Sequence, residues 1–458
     1  MRFLFTTLQT YESEFYGRVG AELERRGHEV SHLTVSRASA TALRELGVDA
    51  RCLPDVIASL PRGAAIDDER RRIETTYVLP SIREIYRVDW AADDLGEEAA
   101  IRRTVEQVRA VEHVLDEVRP DVLVPEVGNE TSRQAMHLAG VVRGIPVLFL
   151  FHTIFPKPLR LYVDTVHAPI VPHDELRELS AAESAEVEAF RNSYIARAAP
   201  TVPHRRVPIE LRRVRLFADH LSRRRGPDRD NDYLRPWKLL GTNVSEWVRA
   251  KSAKPFYDAI PEERPLVYFP LHVIDDFKIK KVIPHCYDQA SILEQIAEAL
   301  PPGYDLVLKE HPMAIGRNSV RLLLRLRKRR NVHLVDPHTN THELIRRSTA
   351  VAVISSTVGL EALLYDKPVL TLGEPFYSGY GITLDLTSFA EIREGVPALL
   401  RFRPDPERIR EFLYAAMSRG YEGKSVSIDR SDENAQALAA SVEAGAREAL
   451  EKKRAALA

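Results

Sequence analysis

The chain has almost no cysteine: Cys52 and Cys286 are the two in 458 residues, far apart and without metal-ligand spacing. That excludes a disulfide framework and a thiolate zinc site. Long apolar runs are missing too. No window approaches the ~18 apolar residues that a membrane-spanning helix needs, and Phe3-Leu4-Phe5 behind Arg2 stops at Thr6-Thr7, too early for the apolar region of an export signal. Neither charge sign dominates: 65 basic residues stand against 66 acidic ones, a formal net charge of -1, which argues against a general nucleic-acid-binding surface. Asp336, His338, His342 and Glu343 have metal-capable side chains, but their spacing matches no strong site, and no Asp-x-Asp stands in a strand-end context. The expectation is a cytoplasmic protein without a metal or a resident cofactor.

What the chain does have is concentrated between residues 350 and 377. An apolar run, Ala350 to Ile354, ends in Ser355-Ser356-Thr357; Val358-Gly359-Leu360-Glu361-Ala362 then reads as a short helix, and Lys367-Pro368-Val369-Leu370 opens a second run. Amides at a helix start are unpaired and lie at the positive end of its dipole, so Ser355, Ser356 and Thr357 can offer N–H and hydroxyl groups to a phosphate. Glu361 lies one turn beyond Thr357 on the same face, where a carboxylate can accept from ribose hydroxyls. The plainer alternative is a helix capped by serines with Glu361 in solvent. Upstream, Leu306-Val307-Leu308 reads as a buried strand whose carboxyl end carries Lys309-Glu310-His311-Pro312. Open parallel sheets hold ligands at that end, and Pro312 restricts His311 to an extended backbone. His311 can donate to a phosphate oxygen and Lys309 can add charge.

Together, Lys309-Glu310-His311-Pro312, Ser355 to Leu363, Lys367-Pro368-Val369 and Gly373-Glu374-Pro375-Phe376-Tyr377 resemble the bacterial capsule polysaccharide biosynthesis proteins over about residues 265–400. The resemblance implies a GT-B type glycosyltransferase, an α/β protein of two Rossmann-like domains facing across a cleft; several family members use CMP-Kdo. Lys-x-His-Pro is shared with glycerophosphate and sialic acid transferases, whose donors are cytidine nucleotides. By the resemblance, His311 and Ser355-Ser356-Thr357 hold the nucleotide phosphate and Glu361 the ribose. Asp366 departs from the pattern, standing where relatives often carry a small residue such as glycine.

Along the chain, strands over 2–7, 29–35, 50–53, 121–125 and 146–151 alternate with helices over 14–27, 39–46 and 131–143, and a charged helical stretch fills 65–118. Residues 155–262 lose periodicity and read as helices and loops. A second unit begins at Leu266, with strands over 266–270, 304–309, 332–336 and at 350 and helices over 287–299 and 318–329. The expected division is 1–260 as an acceptor domain, 261–425 as a nucleotide-sugar domain, and 426–458 as a helix that crosses back to the first domain. Arg317 to Arg330 accompany a leucine-rich helix that reads as packing rather than as a lipid contact, and the Asp275-Asp276-Lys278-Lys280-Lys281 cluster reads first as solvated surface.

If the nucleotide sits on the second domain, the first must supply the catalytic base from its strand ends. Glu126 and Glu130, after strand 121–125, and His152, after strand 146–151, are the candidates, with Glu126 preferred and Glu12 and Glu14 weaker; Glu126 and Glu130 would also serve as simple helix-start acids. The expected partners are a nucleotide-sugar donor, as substrate, and a saccharide or lipid-linked saccharide acceptor reached by peripheral association with the inner membrane. The alternatives are a nucleotide-sugar epimerase on the same frame and a catalytically silent assembly subunit.

Overall fold

Phe3, Leu4 and Phe5 are buried on both faces of their strand, as a central parallel strand requires. In the computed structural model, which describes residues 1–61, 63–166, 170–199 and 211–457, this strand, β1 (Arg2–Thr7), pairs in parallel with β2 (Glu29–Thr34) and β4 (Val122–Pro125), and β2 pairs with β3 (Asp49–Cys52). The order is β3-β2-β1-β4. The second unit has six parallel strands: β7 (Leu266–Pro270), β8 (Asp305–Lys309), β9 (Val332–Val335), β10 (Ser348–Val353), β11 (Val369–Thr371) and β12 (Leu384–Asp385), in the order β12-β11-β10-β7-β8-β9. The strand order reverses between β7 and β10, which run parallel, and this is the switch point where doubly wound sheets open a ligand crevice. The protein is therefore an α/β chain with two Rossmann-like sheets.

Three expectations need correction. Strand 146–151 joins the first sheet by the single parallel bridge Leu123–Val147. Its main partner is antiparallel: β5 (Leu148–His152) forms a hairpin with β6 (Leu159–Val163), a strand that periodicity did not disclose. The stretch 65–118 is three helices, Ile66–Thr76, Arg83–Tyr86 and Glu97–Val118, and helix 318–329 shortens to Val320–Leu326. The faded stretch 155–262 holds long helices at Ala181–Arg197, Leu211–Arg225 and Pro236–Ala253; its residues 167–169 and 200–210 lie outside the described ones.

Two elements hold the units together. The helix Asp432–Leu457 lies on the helix Thr10–Arg25, where Leu438, Ala439, Val442 and Ala446 bury against Phe15, Tyr16, Val19 and Leu23, and Arg18 pairs with Asp432 at 2.6 Å. Arg191, on the helix Ala181–Arg197, donates to the Leu364 carbonyl at 2.6 Å and also pairs with Asp366. Asp366 has φ 53°, the left-handed region that glycine favours. The aspartate meets that backbone demand, and its side chain adds a tie to the first unit. No described helix is long and apolar enough to cross a membrane.

Gly359 shows how tightly the motif helix is fitted. A Cβ there would stand 2.1 Å from the Tyr377 hydroxyl, and the fully buried Tyr377 donates that hydroxyl to the Ser356 carbonyl. Gly359→Ala is expected to cost about 2–4 kcal/mol, from overpacking and the broken hydrogen bond. Urea denaturation checks this; a loss under about 1 kcal/mol would mean that the Tyr377 contact is soft.

Candidate active site

The carboxyl ends of β7, β8 and β10 converge on one pocket, lined by Tyr268 and Pro270, by Lys309, Glu310 and His311, by Asn340, Thr341 and His342, and by Ser356, Thr357 and Glu361. Pro312 leaves His311 extended, at φ -63° and ψ 135°, so the ring caps the following turn: His311 Nδ1 accepts from the Met313 amide at 3.1 Å. The proton of the neutral ring therefore sits on Nε2. Burial, with Lys309 and Arg317 nearby, lowers the His311 pKa to about 4. Lys309 Nζ donates to the Thr339 carbonyl at 2.9 Å and to Thr341 Oγ1 at 2.6 Å, which leaves one of its three N–H groups for a ligand. Burial lowers its pKa to about 8, against a raising influence from Glu361. Glu361 is buried at 4% exposure, so it is not the solvated glutamate of the plainer alternative.

Two members of the motif have different duties from those expected. Ser355 does not line the pocket; its amide donates to His272 Nε2 at 3.1 Å, and its own Oγ is buried without a partner. That amide is committed and is unavailable to a phosphate. Ser356 Oγ caps the helix Thr357–Leu363 by accepting from the Val358 amide at 3.2 Å. Glu310 is structural: it accepts from Tyr257 at 2.6 Å and Asn318 at 2.7 Å, and burial raises its pKa. Asn340 caps its helix by accepting from the His342 amide at 2.8 Å, at the pocket edge. His272 was missed. It stands two residues past the end of β7, so the strand-end rule that selected His311 applies to it equally, and burial takes its pKa down to about 3.

On the first unit the ends of β1 and β4 build a second constellation. Glu126, just past β4, accepts from the Tyr16 hydroxyl. Arg133, one turn into the helix Thr131–Val142, donates to Glu130 at 3.2 Å and to Glu12 at 2.8 Å, and Glu12 also accepts from the Leu8 amide at 2.9 Å. Burial raises the pKa of Glu126 and of Glu130, with Arg133 opposing both. Glu126 and Arg133 line a cavity shared with Phe277, Lys281 and Val282 of the second unit. The loop after β7 thus touches both the pocket at the ends of β7, β8 and β10 and this inter-unit cavity. Its charges are not a free solvated face: Asp275 accepts from Arg317 at 2.8 Å and its carbonyl from Asn129 at 3.4 Å, burial lowers the Lys278 pKa to about 8, and Lys281 reaches Glu84 on the first unit.

His152 lies apart from both constellations. It ends β5 opposite Leu159 and lines neither cavity, and burial lowers its pKa to about 4. Glu14 is exposed and outside the cluster. Arg133 and Tyr16 went unread; the Glu130–Arg133 spacing of one helical turn was the available signal. Leu323 and Leu326 are buried beside Arg325, which pairs with Glu294 at 2.8 Å, so that helix packs. Among the described residues no group of three or more His, Cys, Asp or Glu side chains is placed to hold a metal ion.

An α/β chain with a polar pocket at a switch point is the class that these features define. A family model described as capsule polysaccharide biosynthesis protein matches residues 213–400, which include every residue that lines the pocket at the ends of β7, β8 and β10, and the chain resembles that family, as its motifs implied. The capsule polysaccharide modification protein LipA of Neisseria meningitidis is 33% identical over 84 residues, 18% of this chain and 12% of LipA. Protein FixF of Sinorhizobium fredii is 28% identical over 176 residues, 36% of this chain and 40% of FixF. These matches span less than half the length of either relative. Among solved structures, the beta Kdo 2,4 transferase KpsC of Thermosulfurimonas dismutans is similar at 18% identity and a TM-score of 0.40, covering 65% of this chain and 79% of that one.

Proposed function

We propose that the protein is a glycosyltransferase that moves a sugar from a nucleotide-activated, CMP-linked donor onto a saccharide or lipid-linked saccharide acceptor of a surface polysaccharide, working at the inner face of the membrane. In this reading the second unit, residues 261–425, holds the nucleotide and the first, 1–260, the acceptor, with the helix after 426 spanning back. The observation that carries it is convergence: Lys309 and His311 from the end of β8 and Ser356, Thr357 and Glu361 from beyond β10 line one pocket. A cation, an imidazole N–H and hydroxyls suit a phosphate, and a buried carboxylate suits ribose hydroxyls. Across the inter-unit cavity, Glu126 removes the proton from the acceptor hydroxyl as the nucleotide leaves, its leaving charge met by His311 and Lys309. No step in this scheme is assigned to a metal.

The test is a thermal-shift panel of CMP, CDP, UDP, GDP and ADP against wild type and His311→Ala. A ligand at about 100 times its dissociation constant adds about 2.7 kcal/mol of stability, so CMP should stabilise the wild type and lose that effect in the variant. Affinity should also weaken as pH rises through about 8, where Lys309 surrenders its proton. Stabilisation by UDP or GDP instead keeps the transferase and discards cytidine. A nucleotide-dependent product formed without acceptor would turn the reading to an epimerase, and no response to any nucleotide would turn it to a silent assembly subunit.

A further inference from the structure

Above the carboxyl ends of β2 and β3 the first unit encloses another cavity, of about 310 Å³, with an apolar floor that includes Leu53, Pro54 and Ile57. Its wall is polar but short of free cations. Arg37 donates to Asp55 at 2.7 Å and to Asp230 at 3.0 Å. Arg103 donates to Asp232 at 2.7 Å and to Asp89, Thr131 Oγ1 and the Tyr233 hydroxyl, each at 3.0 Å. With both guanidiniums committed, what the wall still offers is mainly acceptor capacity: the remaining lone pairs of Asp230 and Asp232 and the carboxylate of Glu106, beside the amides of Gln107 and Asn231. Gln107 is 4% exposed and its Oε1 has no hydrogen-bond partner. A buried acceptor left unpaired costs free energy, which a bound hydroxyl would offset.

We propose that this cavity is a saccharide subsite that takes an uncharged sugar residue of the acceptor, its hydroxyls donating to Gln107, Asp230 and Asp232 and its C–H face resting on Leu53 and Ile57. A wall richer in acceptors than in donors favours a ligand that donates, and the excess of carboxylates over uncommitted cations repels an anion. The position suits an extended chain. In the order β3-β2-β1-β4 the cavity lies two to three strand spacings, on the order of 10–15 Å, from the end of β4 that carries Glu126. Arg103 and Asp89 join the two places, since Asp89 accepts from the Thr131 amide at 3.0 Å, next to Glu130. The assignment to the acceptor rests on the transferase reading; the binding chemistry does not.

Saturation-transfer NMR tests it with the methyl glycosides of glucose, galactose and N-acetylglucosamine and with glucuronate, added to the whole chain without nucleotide. Ala58, exposed on the cavity rim, becomes tryptophan to cover the mouth. The expected result is saturation of at least one neutral glycoside, none of glucuronate, and loss of the signal in Ala58→Trp at an unchanged melting temperature. If that variant fails to fold, Asp230→Ala, at a half-exposed carboxylate, is expected to weaken the same signal at least fivefold. No saturation of any neutral glycoside, a preference for glucuronate, or a signal untouched by the substitutions overturns the subsite. Glycoside binding together with a failed nucleotide panel keeps the saccharide site and discards the transferase.

Discussion

On the proposed transferase reading, a Glu126→Gln protein is expected to transfer sugar about 10²- to 10⁴-fold more slowly than wild type, the range that a positioned general base contributes, while binding nucleotide with unchanged affinity. Glutamine keeps the shape and still accepts from Tyr16, so the phenol and the cavity wall stay in place. Only the proton-accepting charge is lost. The fold should not suffer, and the sign can be worked out. Burial raises the Glu126 pKa above its unfolded value, so its contribution to stability is greatest below the usual carboxylate range and is lost as pH rises through the raised folded value. Removing the ionisable group therefore leaves the protein at least as stable at neutral pH. Steady-state transfer, nucleotide titration and a melting curve separate the cases. Slow transfer with a lowered melting temperature would make Glu126 a structural residue, and unimpaired transfer would pass the role of base to another group.

Arg133→Leu should be the most destabilising single substitution in the inter-unit region, by about 3–5 kcal/mol at pH 7, the cost of leaving buried charge uncompensated. Arg133 is 6% exposed and is held by Glu12 and Glu130 within hydrogen-bond distance. Without the guanidinium, Glu12, Glu126 and Glu130 are left as neighbouring buried or half-buried carboxylates. Burial and mutual repulsion then raise the folded pKa values of Glu126 and Glu130 further. The deficit is therefore largest where the carboxylates are ionised and shrinks as acidification neutralises them. Urea unfolding of wild type and variant at pH 7 and pH 5 reads this directly. A deficit that is the same at both values would point to lost packing rather than lost charge, and a deficit below about 1 kcal/mol would mean that the carboxylates are better hydrated than their burial implies.

Most strands of both sheets were legible because parallel strands buried on both faces read as short apolar runs; β12, two residues long, was not. That His311 and Glu361 line one pocket was legible for a related reason: crevices of doubly wound sheets open at strand ends, so a local rule selects the residues there. His272 obeys the same rule and was passed over because no motif surrounds it. The β5–β6 hairpin escaped because it reverses the strand direction that the preceding alternation led one to expect. Ser355 shows a different limit, since its amide is claimed by a histidine 83 positions away, and no pattern near Ser355 records that.

By itself the sequence determined the α/β class, the positions of most strands, and two of the segments that line the pocket at the ends of β7, β8 and β10, because backbone propensity and hydrophobic periodicity act over a few neighbouring residues. Tertiary structure alone decided that Arg133 stands among Glu12, Glu126 and Glu130, that Gln107 keeps an unpaired oxygen above β2 and β3, and that His152 lies away from both constellations. Desolvation and charge pairing are sums over neighbours drawn from remote segments, and those neighbours exist only once the chain has folded.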